Sequence, residues 1–178
     1  LSFWDTMPFW STFFRALGYP VKFSSPSGRK QYESGLQYVA SDTICFPAKL
    51  VHGHVLDLSK QGVDRIFLPY ILHMPPENKR EKSPYVCPVI MGYSMVVRNF
   101  QSPERHFPVR FETPVFHWFS EKDRKRQICQ YAVDQCGATK RQAEAAYRQA
   151  ETAIRSFRRQ MVEEGKRIIS DTAAKGGF

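Results

Sequence analysis

The sequence lacks the marks of several common protein classes. No apolar run reaches the roughly 18–20 residues that a bilayer-spanning helix needs. The opening Leu1-Ser2-Phe3-Trp4-Asp5 has no basic stretch followed by an apolar core, so it does not read as a secretory signal. It also lacks an initiator methionine and reads as a domain boundary. Cysteine is scarce, four residues in 178, and no C-x-x-C pair occurs. A zinc ribbon and a thioredoxin-type motif are therefore excluded, and reduced thiols in a cytoplasmic setting are expected. Neither G-x-x-x-x-G-K-[ST], G-x-G-x-x-G nor G-x-S-x-G occurs, so nucleotide hydrolysis by this chain is not expected. Internal repeats and low-complexity tracts are missing as well.

What is present suits one domain with a real core and an appended helical piece. Hydrophobic residues make up 42% and charged residues 24%. The net charge of +9 raises the question of a nucleic-acid partner. The basic residues gather between Lys122 and Lys175, however, in a helical pattern where a solvated face is the plainer reading. Aromatic residues do not alternate with Arg and Lys, so a single-strand stacking platform is poorly supported.

Along the chain, Phe9, Trp10, Phe13, Phe14 and Leu17 recur at helical spacing, and Gly18 ends that helix. Short strands are expected at Tyr19–Ser24 and Leu36–Ala40, with a short helix between them over Arg29–Ser34. Ala48, Val51, Val55 and Leu58 form the core stripe of a helix from about Phe46 to Gln61. Strands are expected at Val63–Leu68 and Val86–Met91, with an edge segment over His106–Val115. The alternation of helices and strands predicts an α/β fold. Its sheet is expected to be open, mostly parallel and covered by helices on both faces, a Rossmann/flavodoxin-like three-layer arrangement. Residues 119–178 read as a C-terminal αα-hairpin on an α/β domain of residues 1–118. Thr139-Lys140-Arg141-Gln142 is a capping box, and Ala143, Tyr147, Ala150, Ile154, Phe157 and Met161 form one apolar seam.

The stretch Ser41–His54 is where chemistry is most legible. Cys45 lies at a loop-to-helix junction, where free N–H groups and the helix dipole favour a thiolate. Lys49 and His52 follow at i+4 and i+7 on the same helix face; a buried cysteine with two ordinary polar neighbours is the plain alternative. Cys87 borders a strand, taken alone reads more as a small core residue, and gains interest only beside Cys45. Cys129 and Cys136 read as packing residues, and His52 and His54 point to different helix faces and cannot easily chelate one ion. His73, His106 and His117 show no ligand spacing.

Three motifs carry a resemblance. Pro8–Gly18 (PFWSTFFRALG) resembles the opening of an uncharacterised domain of large fused 2-hydroxyacyl-CoA dehydratase activases, and Ser41–His54 (SDTICFPAKLVHGH) resembles its hallmark. Cys87-Pro88-Val89 with Gly92-Tyr93 is similar to its second motif. The resemblance implies a domain that follows ATPase modules of the acetate-kinase/hsp70 type and is similar to the iron–sulfur dehydratase subunits. It implies Cys45 and Cys87 as ligands of a [4Fe-4S] cluster in the full-length protein, with Lys49 and His52 beside it. The isolated fragment is expected to hold no cofactor and not to be an enzyme by itself. Tyr70 stands in the segment where a further ligand would be sought. The implied partners are the neighbouring activase and dehydratase-like domains; the residues themselves give no reason to expect a membrane, and a basic nucleic-acid-binding module is the weakest alternative. A scaffold that has lost the cluster is the alternative reading.

Overall fold

The computed structural model describes residues 3–75, 85–118 and 120–176. In chain order the elements are α1 (Phe3–Ala16), α2 (Arg29–Gly35), α3 (Phe46–Lys60), β1 (Arg65–Phe67), β2 (Tyr70–Ile71), α4 (Pro88–Val96), α5 (Pro103–His106), β3 (Arg110–Glu112), β4 (Val115–Phe116), α6 (Glu121–Cys136) and α7 (Lys140–Ala174). A 3-10 turn over Leu36–Tyr38 follows α2, and a π-helical turn over Val97–Gln101 continues α4. The chain divides into two compact units, one of residues 22–127 and one of residues 2–21 with 128–178.

The first unit is mixed α/β with small parallel sheets. β1 pairs with β3 in the register Arg65↔Arg110, Ile66↔Phe111, Phe67↔Glu112, and β2 pairs with β4 through Tyr70↔Val115 and Ile71↔Phe116. The parallel sense was expected, because helical connections between short apolar runs force it. Ala48, Val55, Ile66, Tyr93, Val97, Val109 and Phe111 form the buried core between α3, α4 and the β1–β3 pair. The like-charged pair Arg65 and Arg110 is tolerated because Glu112 reaches both, at 3.7 Å and 2.7 Å.

α2 crosses α3 at backbone distance. A Cβ added to Gly53 would lie 2.5 Å from the Gln31 carbonyl carbon, and one added to Gly35 would lie 2.5 Å from the Gly53 nitrogen. Two glycines therefore make the crossing possible, since any side chain at either position meets main chain.

Three expected strands take other forms. Residues 20–26 are irregular, and residues 36–38 form the 3-10 turn. Pro88–Met91 opens α4 instead of closing a strand. Pro88 at the first helical position explains the last, because its fixed φ suits N1 and its missing N–H costs nothing there.

In the second unit, α7 uses α1 as its packing partner. Ala143, Ala146, Tyr147, Ala150 and Ile154 of α7 are buried, as are Phe9, Trp10 and Phe13 of α1. Phe9 meets Tyr147 edge-on at 5.5 Å, and Trp4 stacks with Phe157 at 6.4 Å. The pairing 9 with 147 and 4 with 157 makes the helices antiparallel. The Thr139–Gln142 capping box is formed in both directions, as the sequence predicts. Past Phe157 the seam comes into solvent: Met161, Ile168 and Ile169 are exposed.

Candidate functional site

Cys45 and Cys87 occupy the same structural position on two helices of one unit. Cys45 is the N-cap of α3 and Cys87 the N-cap of α4, and each is followed within two residues by a proline. Both thiols are exposed. N-cap side chains normally accept from the first-turn N–H groups, but neither thiol makes such a bond. The two sulfurs thus stand at positive helix ends without a capping bond.

Lys49 and His52 share the Cys45 face of α3 but do different work. Lys49 Nζ donates to the Asp42 carbonyl at 2.8 Å and so ties down the loop that delivers Cys45. His52 is fully buried. Its Nδ1 lies 3.0 Å from Gln101 Oε1, its Nε2 lies 3.0 Å from the Tyr93 hydroxyl, and Gln101 Nε2 donates to the His52 carbonyl at 2.9 Å. That last bond fixes the Gln101 amide, so its oxygen accepts from Nδ1–H. Nε2 is then bare and accepts from the Tyr93 O–H, an assignment made from the network. The π turn winds more than 3.6 residues per turn and returns Gln101 to the Tyr93 side of the helix.

Burial lowers the His52 pKa, opposed by its bond to Gln101. Burial raises the Tyr93 pKa, and the charge of a Cys45 thiolate raises it further. Tyr93 thereby links the helix that Cys87 caps to the helix that Cys45 caps. His54 faces elsewhere: its ring nitrogens stand 2.9 Å from the hydroxyls of Ser24 and Ser27, and burial lowers its pKa. The expected divergence of His52 and His54 is therefore seen.

A four-iron cluster takes four thiolates, and the fit here is half a set. Cys45 and Cys87 offer suitable donors, while Cys129 and Cys136 lie in α6, with the Cys136 carbonyl accepting from Tyr19 Oη at 2.9 Å. Among the described residues no group of three or more His, Cys, Asp or Glu converges on one point.

Sequence spacing missed a second meeting of residues. His73 and His117, 44 positions apart, come together just past the carboxyl ends of β2 and β4, with their Nδ1 atoms 3.4 Å apart. Only the pairing of the two strands brings them together, so no local pattern could have revealed it.

A family model described as a CoA enzyme activase uncharacterised domain matches residues 1–177. The chain belongs to this family. Neither the curated proteins nor the solved structures contain a match to it. In this activase-family domain, the Pro8–Gly18 run is α1, which supplies the aromatic half of the second unit. The Ser41–His54 run spans the Cys45 loop and the first half of α3. None of the described helices is long and apolar enough to cross a membrane.

Proposed function

We propose that this activase-family domain serves electron transfer to 2-hydroxyacyl-CoA dehydratase chemistry, with Cys45 and Cys87 supplying two thiolate ligands to a [4Fe-4S] cluster. One observation carries the reading: two exposed thiols cap two helices of one unit, and Tyr93 joins those helices. When bound, such a cluster supplies one electron at low potential. The chain's own residues then have separate tasks. The first turns of α3 and α4 set the two sulfurs at helix N-termini. Lys49 holds the loop that positions Cys45. His52 and Gln101 hold Tyr93 beside it. The remaining ligands come from a neighbouring activase or dehydratase-like module of the cytoplasmic parent protein. On this reading the fragment is not an enzyme in isolation, and its two parallel strand pairs are the centre of a three-layer open sheet joined onward by an αα-hairpin.

The test is iron and acid-labile sulfide, with a visible spectrum, on anaerobically prepared parent protein and its Cys45→Ala and Cys87→Ala variants. Loss of iron in both variants is expected. A parent protein that holds no iron with both cysteines intact overturns the reading. A scaffold without a cluster is the second reading, favoured by the exposed Met161, Ile168 and Ile169 of α7. A nucleic-acid role ranks below both. Towards the end of α7, Lys166 pairs with Glu163, and Arg167 with Glu164 and Asp171, so these two cations are answered within the helix.

A further inference from the structure

We propose that His73 and His117 form a binding site for a divalent ion of the zinc type. The site lies at the carboxyl edge of the β2–β4 pair and is independent of the cysteines. In sheets of parallel strands, this is the edge where ligands collect. β2 ends at Ile71 and β4 at Phe116, in register, so the two chains leave the sheet side by side, with His117 directly after its strand and Leu72 between His73 and the other. His73 is held from the other flank by Tyr85: the two residues form an antiparallel bridge, and their rings lie 4.4 Å apart. The His117 backbone is held as well, its N–H donating to Gln127 Oε1 at 3.0 Å. Two imidazoles are thus presented by two anchored main chains.

The separation of the two nitrogens suits a shared ion as well as it suits a bond between them. The Nδ1 atoms are 3.4 Å apart. In the neutral tautomers one Nδ1–H donates to the other Nδ1 at this distance, a long hydrogen bond that holds the two rings together. Two nitrogens at about 2.0–2.1 Å from one ion, at the tetrahedral angle, stand about 3.3–3.4 Å apart. A right-angled pair on a square-planar or octahedral ion would stand only about 2.9 Å apart. The ring centroids stand 5.5 Å apart against 3.4 Å for the Nδ1 atoms, so the two Nδ1 edges face each other, with the ring planes inclined by 32°. Imidazole is a preferred ligand of zinc and its neighbours. No third His, Cys, Asp or Glu among the described residues joins the pair. A bound ion therefore keeps two positions for water or for a donor atom of an incoming ligand.

The test uses the full chain with Cys45→Ser and Cys87→Ser, so that the exposed thiols contribute nothing. Co²⁺ is titrated and followed by its visible ligand-field bands, and Zn²⁺ is then titrated in competition. One ion per chain is expected, with tetrahedral bands and no thiolate charge-transfer band. His73→Gln and His117→Gln are each expected to weaken binding by at least ten-fold, with the far-UV circular dichroism unchanged. If His73→Gln disturbs the fold, the exposed His117 carries the test alone. A smaller fall in the His117 variant overturns the site, as does absence of binding once the two cysteines are replaced. Iron analysis of the cysteine variants is read separately, so the cluster reading and this site fail by different outcomes.

Discussion

Replacing Gly53 with alanine sets two effects of known size against each other. Within a helix, alanine is favoured over glycine by about 1 kcal/mol. Gly53 lies in the middle of α3, so propensity alone predicts a more stable protein. Packing predicts the reverse. The added Cβ would fall 2.5 Å from the Gln31 carbonyl carbon and 2.9 Å from its Cα, where carbon atoms rest at about 3.5–4.0 Å. The obstacle is main chain, so no rotamer change relieves it, and α2 must retreat by about 1 Å. Overpacking of this kind costs typically about 1–3 kcal/mol and occasionally more. Subtracting the propensity gain from the upper part of that range leaves Gly53→Ala destabilised by about 1–2 kcal/mol or more. Gly92→Ala is the control: it lies within α4, and an added Cβ there meets nothing within 4 Å. It should be neutral or stabilising by up to about 1 kcal/mol. Urea denaturation of both variants, compared at their midpoints, checks the argument. A Gly53→Ala protein as stable as Gly92→Ala would refute the close crossing of α2 and α3.

Other outcomes follow from the buried polar groups and the helix caps. Because burial lowers the His52 pKa below 6.5, the unfolded chain binds more protons than the folded one as the pH falls beneath that value. Stability is therefore kept above pH 6.5 and lost below it, by up to about 1.4 kcal/mol per pH unit. Denaturation at several pH values should show a shallower acid slope in His52→Gln, with His54 responsible for part of the remainder. Glu112→Gln leaves Arg65 and Arg110 adjacent on paired strands without their shared carboxylate. A loss of about 1–2 kcal/mol is expected, and it should shrink when Arg65 is also replaced by Gln. Thr139→Ala removes the capping box of α7 and should lower stability by about 1 kcal/mol, read from the thermal midpoint.

Periodicity in the sequence was enough to place α1, α3 and α7, because each carries an apolar stripe long enough to declare a helical period. The capping box at Thr139 was legible for the same reason: its signal is local. The Val86–Met91 run was not, since a short apolar run does not separate a strand from a buried helix. There Pro88 was the better guide. The apolar seam of α7 was visible, but its partner was not, because α1 lies at the other end of the chain. The cysteines were found as candidates, while their shared role as helix N-caps came only from the fold. His52 was placed beside Cys45 by spacing alone; its burial against Tyr93 and Gln101 depends on a π turn that no pattern announces.

The pairing of α1 with α7 also imposes an order of events during synthesis. α1 is made first and carries Phe9, Trp10 and Phe13, which end fully or almost fully buried. Their partner helix, with Tyr147 against Phe9, emerges only after the whole of residues 22–127 has been translated. At about 5–20 residues per second, the wait is on the order of ten seconds. During that time the intervening unit can fold by itself, while the aromatic helix stays uncovered and open to chaperones or to other nascent chains. A ribosome that stalls before residue 140 would release a chain whose aromatic first helix has no mate.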